Sequence, residues 1–313
     1  MAMTNREKAE ALKDQHFGVE IEMYGITRKH ASRVAAETLG GTYEFTQARN
    51  GYHTWSCLAP DGREWKFCRD SSIAADRDEE KCEMVTPILS YDDLGVLVNL
   101  VNALKESGAR SDAGHVCGIH IHVDGAGHTG QTIKNLVNLV YSHEEQIAAA
   151  LNMGEYREEH YCGMIKKDFH AALHKLKKPE LLDIENLWYE GLLRRDNHYN
   201  STRYRMLNLH SFFYGHGTVE FRCFQFQDET GIDTNELAAM IQMALALNSQ
   251  AKVSIRCVSK KNTKSNTSKA MAGWLTRLGF VGNEFKFARR YWTRKTDRTL
   301  SKMFAGVFEY EAA

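Results

Sequence analysis

Three short runs place ionisable side chains two residues apart. They are Glu20 and Glu22 in F-G-V-E-I-E-M (17–23), His120 and His122 in G-I-H-I-H-V-D (118–124), and Glu220 and Arg222 in T-V-E-F-R-C-F (218–224). In an extended strand, successive side chains alternate between faces, so each doublet shares one face and its apolar neighbours share the other. Glu20 and Glu22 thus stand opposite Val19, Ile21 and Met23, and His120, His122 and Asp124 opposite Ile119, Ile121 and Val123. Glu220 and Arg222 oppose Val219 and Phe221. A strand with one fully apolar face has to be covered on that side. Charges on its other side are costly to bury unless wet, paired or metal-loaded. Taken singly, E-x-E is commonly a solvated face and E-F-R a cross-strand ion pair, whereas the Ile and Val flanking H-x-H mark a buried strand. Three in one chain point to a shared polar cleft. Clustered carboxylates repel one another and a divalent cation relieves that repulsion; carboxylate oxygens suit Mg2+ or Mn2+, while imidazole suits Mn2+ or Zn2+.

The elements that must position these groups are legible from periodicity and turn chemistry. Strands are expected at 17–24, 116–124, 203–213 and 218–226. Residues 52–56 and 63–68 flank Pro60-Asp61-Gly62 and form a hairpin, and 82–86 is a short strand closed by Pro87. Helical spacing covers 27–39 before Gly40-Gly41, 91–106, and 131–152 with Ile133, Leu136, Val137, Val140 and Ile147 on one face. A helix follows Asp233-Thr234 as far as residue 248, and 156–195 is mostly helical and charged. Hairpins mixed with separated helices give an α+β class with a mainly antiparallel sheet.

Bulk properties narrow the function. Zero formal net charge makes the whole molecule no general polyanion binder. Seven scattered cysteines, never spaced C-x-x-C, fit reduced thiols better than a disulfide framework. The polar first 15 residues lack an apolar leader and no run approaches a membrane span. A soluble cytoplasmic protein is expected, with no membrane partner. Residues 1–250 form the expected catalytic domain, and 251–313 a basic extension packed on it.

The ordered series F-G-V-E-I-E, W-K-F-C-R-D-S-S, C-E-M-V-T-P-I-L, C-G-I-H-I-H-V-D, R-Y-R-M-L-N-L and T-V-E-F-R, spanning 17–226, resembles the amidoligase family of the carboxylate–amine ligase superfamily. That superfamily includes glutamine synthetase and gamma-glutamylcysteine synthetase. The G-x-H-x-H and E-F-R elements also resemble glutamine synthetase, in the same order. The resemblance implies a glutamine synthetase-like catalytic domain, with a cupped, mainly antiparallel sheet backed by helices and holding ATP and Mg2+. It implies Glu20, Glu22, Glu83, His120 and Glu220 as metal ligands. His122 and Arg222 would face the ATP phosphates, joined by Arg203 or Arg205, one of which would otherwise hold the substrate carboxylate. Lys66 and Asp70 would line the same cleft, although the family often shows Asp-Gly-Ser where this chain has Asp70-Ser71-Ser72. Cys68 and Cys223 read as packing. The implied activity is ATP-dependent amide or peptide bond formation through an acyl phosphate, from a small-molecule or peptide carboxylate and an amine. Glu220, Arg222 and Asp70 would lie closest to the chemistry. The base that deprotonates the amine is not assigned by any motif.

Two other classes compete. His120-x-His122-x-Asp124 is similar to the zinc-binding motif of metallo-beta-lactamases, but Gly125 stands where a second His normally follows. A metal-dependent hydrolase is therefore the first alternative. From 252 to 302 there are fourteen Lys or Arg against two acids, interleaved with Trp274, Phe280, Phe285, Phe287, Tyr291 and Trp292. That mixture fits either a single-stranded nucleic-acid surface or a solvated helical face with its aromatics in the core. The polar stretch 259–269 and the stretch 156–195 are candidates for a lid or for surface decoration.

Overall fold

The computed structural model describes residues 3–46, 51–191, 195–197, 199–227, 231–261 and 267–294. Parts of the expected polar stretch (262–266), of the charged stretch (192–194) and of the basic segment (295–302) lie outside the described residues. In chain order the elements begin α1 (Asn5–Lys13), β1 (Phe17–Met23), α2 (Arg28–Leu39), β2 (Thr42–Thr46), β3 (Thr54–Leu58), β4 (Glu64–Cys68), β5 (Cys82–Val85), α3 (Leu94–Glu106) and β6 (Ile119–Asp124). They continue with α4 (Gly130–Ala150), α5 (Glu155–His160), α6 (Lys167–Lys175), α7 (Leu181–Tyr189), β7 (Leu207–Asn208), α8 (His210–Tyr214), β8 (Thr218–Phe224), α9 (Thr234–Val253), α10 (Thr267–Leu278) and α11 (Lys286–Thr293). This is an α+β protein with an open antiparallel sheet. Among the described residues no helix is long and apolar enough to cross a membrane.

The chain divides into two compact units. The first comprises Asp14–Val123 and Phe224–Ala238. Its strands run in the order β2-β3-β4-β5-β1-β6. Val19, Ile21, Met23, Trp65, Phe67, Cys82, Met84, Ile119 and Ile121 alternate onto one face and are all buried. Each such side chain contributes about 1.5–3 kcal/mol by leaving water. Helix α2 lies across β2, β3 and β4 and beside α3. It starts where the Thr27 hydroxyl accepts the His30 N–H at 3.2 Å, and it stops at Gly40, whose φ of 72° a side-chain-bearing residue adopts only at a cost. The β3–β4 turn forms as expected: Asp61 Oδ1 accepts the Arg63 N–H at 2.9 Å, and Gly62 sits at φ 83°.

The second unit takes the described parts of 1–13, 124–223 and 239–313. Its long helix α4 is capped by Thr129 and Thr132 and packs against α6, α7 and α11. Helices α10 and α11 pack on each other, and the Trp292 indole N–H donates to the Ala239 carbonyl at 3.1 Å. Strands β7 and β8 pair antiparallel, with Asn208 across from Glu220.

Several expectations need correction. Residues 203–213 are no strand. Ser201–Arg203 is a 3-10 turn held by the Asn200 side chain, only Leu207–Asn208 pairs with β8, and His210–Tyr214 is helical. The Asn208 side-chain oxygen accepts the His210 N–H at 2.8 Å, which ends extension after two residues. The stretch 156–195 breaks into α5, α6 and α7, with Gly163 and Pro179 in the gaps. Strand β6 starts at Ile119, not at 116, because Val116 occupies the left-handed region at φ 60°. Strand β2 was not foreseen.

Candidate active site

The polar face of the first unit is organised by register. Antiparallel partners point to the same side of a sheet. Glu22 stands directly across from Glu83, which stands across from Cys68. One step along, His120, Glu20, Val85 and Lys66 form a parallel row. Glu83, expected at this site only from resemblance, is therefore placed in the centre of the face. Cys68 is half-buried on this side rather than in the apolar core, and burial pushes its thiol up.

Both imidazoles lie against the Glu20 carboxylate. His120 Nδ1 lies 2.9 Å from Glu20 Oε2, and His122 Nε2 lies 3.3 Å from Glu20 Oε1. Glu22 Oε2 accepts the Gly118 N–H at 2.5 Å, and its other oxygen is 4.0 Å from His120 Nε2. Burial pushes the Glu20 carboxyl up, but the charge of His122 and the hydrogen bonds from His120 and His122 overcome it and hold the group well below the usual carboxylate range.

Asp70 lies just past β4, in a turn where its Oδ1 accepts both the N–H and the hydroxyl of Ser72, each at 2.7 Å. Ser71 sits inside that turn without adopting a positive φ. Two donor sets result. Glu20, Glu83 and His120 offer ligand atoms all within 4.8 Å of one another, and so do Glu22, Asp70 and Glu83. The all-carboxylate set is the donor chemistry of Mg2+ or Mn2+, and the set with His120 suits Mn2+ or Zn2+. Lys66 is exposed on the same face and its Nζ lies 3.5 Å from Glu64.

Glu220 and Arg222 lie on β8 in the second unit, where both are buried. Arg222 Nη1 donates to Glu220 Oε1 at 2.5 Å, Asn208 donates to Glu220 Oε2 at 2.6 Å, and the Arg222 guanidinium sits 5.9 Å from the centre of the Tyr204 ring. Arg203 ends the 3-10 turn between the rings of Tyr199 and Tyr204, each 5.8 Å away. Arg205 is half-buried, and burial lowers its pKa. Cys223, expected to pack, is buried.

The His120-x-His122-x-Asp124 triad of the hydrolase alternative is not built. Asp124 is exposed and its Oδ1 accepts the Ala126 N–H at 2.9 Å, while both imidazoles engage Glu20. The nucleic-acid alternative loses its stacking platform, because Trp274, Phe280, Phe285, Tyr291 and Trp292 are buried and only Phe287 is exposed.

A family model described as "Putative amidoligase enzyme" matches residues 13–248. The chain belongs to the amidoligase family. The match takes in β1 to β8 and every acid, imidazole, lysine and arginine named above, while α10 and α11 of this amidoligase lie beyond it. No curated protein matches the chain. A solved structure, that of a bifunctional glutathione synthetase from Pasteurella multocida, is similar at 12% identity and TM-score 0.46 over 98% of this chain. This amidoligase chain spans about half of that protein, 52% of its length.

One part of the face went unread in the amidoligase sequence. Tyr24 follows Glu20 and Glu22 at the same interval of two, and its hydroxyl donates to Asp112 Oδ2 at 2.5 Å. The interval was the available signal. The loop that brings Asp112 and His115 to it carries no motif.

Proposed function

We propose that this protein is an ATP- and Mg2+-dependent carboxylate–amine ligase that forms an amide or peptide bond through an acyl phosphate. Membership of the amidoligase family supports the reaction class. The observation that carries the reading is the polar sheet face on which Glu22 is set directly across from Glu83, with Glu20, His120 and Asp70 around them. The antiparallel sheet, apolar on one side and acidic on the other, is taken as the curved catalytic sheet of glutamine synthetase-type ligases.

In this reading Glu20, Glu22, Glu83 and Asp70, with His120, hold Mg2+, and Mn2+ as a substitute. Bound there, the ions supply positive charge to phosphate oxygens. Glu220 on β8 is assigned the same duty. Arg222 is assigned to the transferring phosphoryl group, since a planar guanidinium matches two phosphate oxygens as an ammonium does not. His122, Lys66, Arg203 and Arg205 are assigned to the remaining nucleotide phosphates or the substrate carboxylate. The acid's carboxylate oxygen attacks the γ-phosphorus and ADP departs. The amine nitrogen then forms the C–N bond and inorganic phosphate leaves. Phosphoryl transfer depends mainly on position and charge, which fixed strand side chains provide.

The test is ADP release from ATP and Mg2+ with a panel of free amino acids, peptides, side-chain carboxylates and polyamines. A pair that releases ADP and yields a new amide is the expected result, with Glu20→Gln and Glu83→Gln reducing it at least about 100-fold. Stoichiometric zinc without nucleotide binding would return the hydrolase reading.

A further inference from the structure

Amide formation needs an unprotonated amine, and a base to receive its proton. At the end of the acidic face the first unit holds an imidazole arranged for that work. His115 Nδ1 lies 2.9 Å from Asp112 Oδ1, so its N–H points at the carboxylate and leaves the Nε2 lone pair outward. The His115 side chain is 44% exposed, whereas Asp112 is 17% exposed, so the partner is sheltered and the ring is reachable. No described residue hydrogen-bonds to Nε2. The ring is also stacked flat on Tyr24, with centroids 3.7 Å apart and planes 16° apart. Tyr24 in turn is the next residue after Glu22 on the same side of β1, about 7 Å further along the strand.

The backbone holds this arrangement at a cost. Asp112 Oδ1 also accepts the His115 main-chain N–H at 3.0 Å, and Cys117 N–H donates to Asp112 O at 3.0 Å. Between them Val116, a β-branched residue, is forced to φ 60° and ψ 24°. Such a conformation costs on the order of 1–3 kcal/mol and persists only where surrounding contacts impose it. Ala74 N–H donates to His115 O at 3.0 Å, so the loop that carries Asp70 is fastened to the loop that carries His115. Tyr24, Asp112 and Cys117 are the titratable groups around the imidazole, with Arg110 paired across from Tyr24.

We infer that His115, oriented by Asp112 and seated on Tyr24, is the general base that accepts the amine proton in the second half-reaction; this rests on the ligase reading above. As the nitrogen lone pair closes on the acyl carbon, the C–O bond to phosphate breaks with its electron pair. Before that attack His115 Nε2 takes one proton from the ammonium, which frees the lone pair, and later returns that proton to solvent; the proton that nitrogen sheds in the attack leaves on the departing phosphate. Asp112 is a positioning residue, fixing the tautomer and stabilising the imidazolium that forms.

The test uses the full chain, ATP, Mg2+ and the carboxylate found by the ADP-release screen, with two nucleophiles. Methylamine is largely protonated near neutral pH and needs a base. Hydroxylamine is largely unprotonated there and does not. His115→Gln is expected to lower N-methylamide formation about 100-fold or more while leaving hydroxamate formation within a few-fold. Asp112→Asn is expected to show the same split at smaller amplitude, and circular dichroism melting confirms that both variants fold. Equal losses with the two nucleophiles, or none, overturn the assignment and leave the ligase reading standing. If the unsubstituted chain releases no ADP with any pair and forms neither product, both fall together.

Discussion

Glu22 and Glu83 face each other directly across the β1–β5 pair, two carboxylates at one rung of an antiparallel ladder. Like charges in that position repel, at about 0.2–1 kcal/mol. Without metal, Glu83→Gln should therefore raise the melting temperature slightly. With Mn2+ or Mg2+ the order should reverse. The unsubstituted chain should gain about 2.7 kcal/mol at a hundredfold excess of metal over Kd, while Glu83→Gln gains little. Thermal unfolding across a metal titration checks both arms. An equal metal response in the two chains would remove Glu83 from the site.

Much of this face was readable because its logic is local. Two-residue spacing in 17–23 and 118–124, with apolar residues between, sufficed to place Glu20, Glu22, His120 and His122 on one side. What periodicity cannot supply is register. Nothing in C-E-M-V says that Glu83 lies across from Glu22 rather than one rung away; pairing decides that. The misread segment 203–213 has strand-forming residues, yet Asn208 turns its side chain onto the following backbone and a helix begins. His115 was invisible for a related reason. Its partner Asp112 is three residues away in a loop, and its neighbour Tyr24 is 91 residues away in sequence, so only tertiary structure joins them.

The second unit should lose stability in acid. Burial lowers His128, His143 and His170 to about 4, against an ordinary value of 6.5. Below 6.5 the unfolded chain binds these protons and the folded chain does not, so stability falls as pH drops from 6.5 to about 4. Urea unfolding at intervals from pH 7 to 4 should show proton uptake approaching three across that range from these groups. His128→Gln, which keeps a polar group between Thr132 and Asn248, should reduce the uptake by one. An unchanged pH profile in that variant would contradict the assignment.

Glu144 should act in the opposite sense. It is fully buried on α4, where burial pushes its carboxyl up to about 7 despite Lys261 Nζ at 2.7 Å and the Ile165 N–H at 3.0 Å. Between 4.5 and 7 the folded chain binds the proton and the unfolded chain does not, so this group adds stability as pH falls through 7. Glu144→Gln should accordingly be more stable than the unsubstituted chain above pH 7, by on the order of 3 kcal/mol at most, and should lose stability more steeply on acidification. Parallel urea curves for the two chains at every pH would refute this.

Arg222 separates a structural role from a catalytic one, provided the right substitution is used. Arg222 and Glu220 are both buried and joined at 2.5 Å. Arg222→Ala removes the cation beside a buried carboxylate, a change that costs about 3–5 kcal/mol in comparable pairs. Lost activity in that variant would show only that the unit had loosened. Arg222→Lys keeps a positive charge near Glu220 and removes the planar fork. It should therefore melt closer to the unsubstituted chain than Arg222→Ala does, while ADP release falls about 100-fold, the loss typical when one oriented donor is withdrawn from developing charge. Retained activity in Arg222→Lys, with Arg222→Ala inactive and unfolded, would make the Glu220–Arg222 pair a structural tie and leave phosphate binding to other cations.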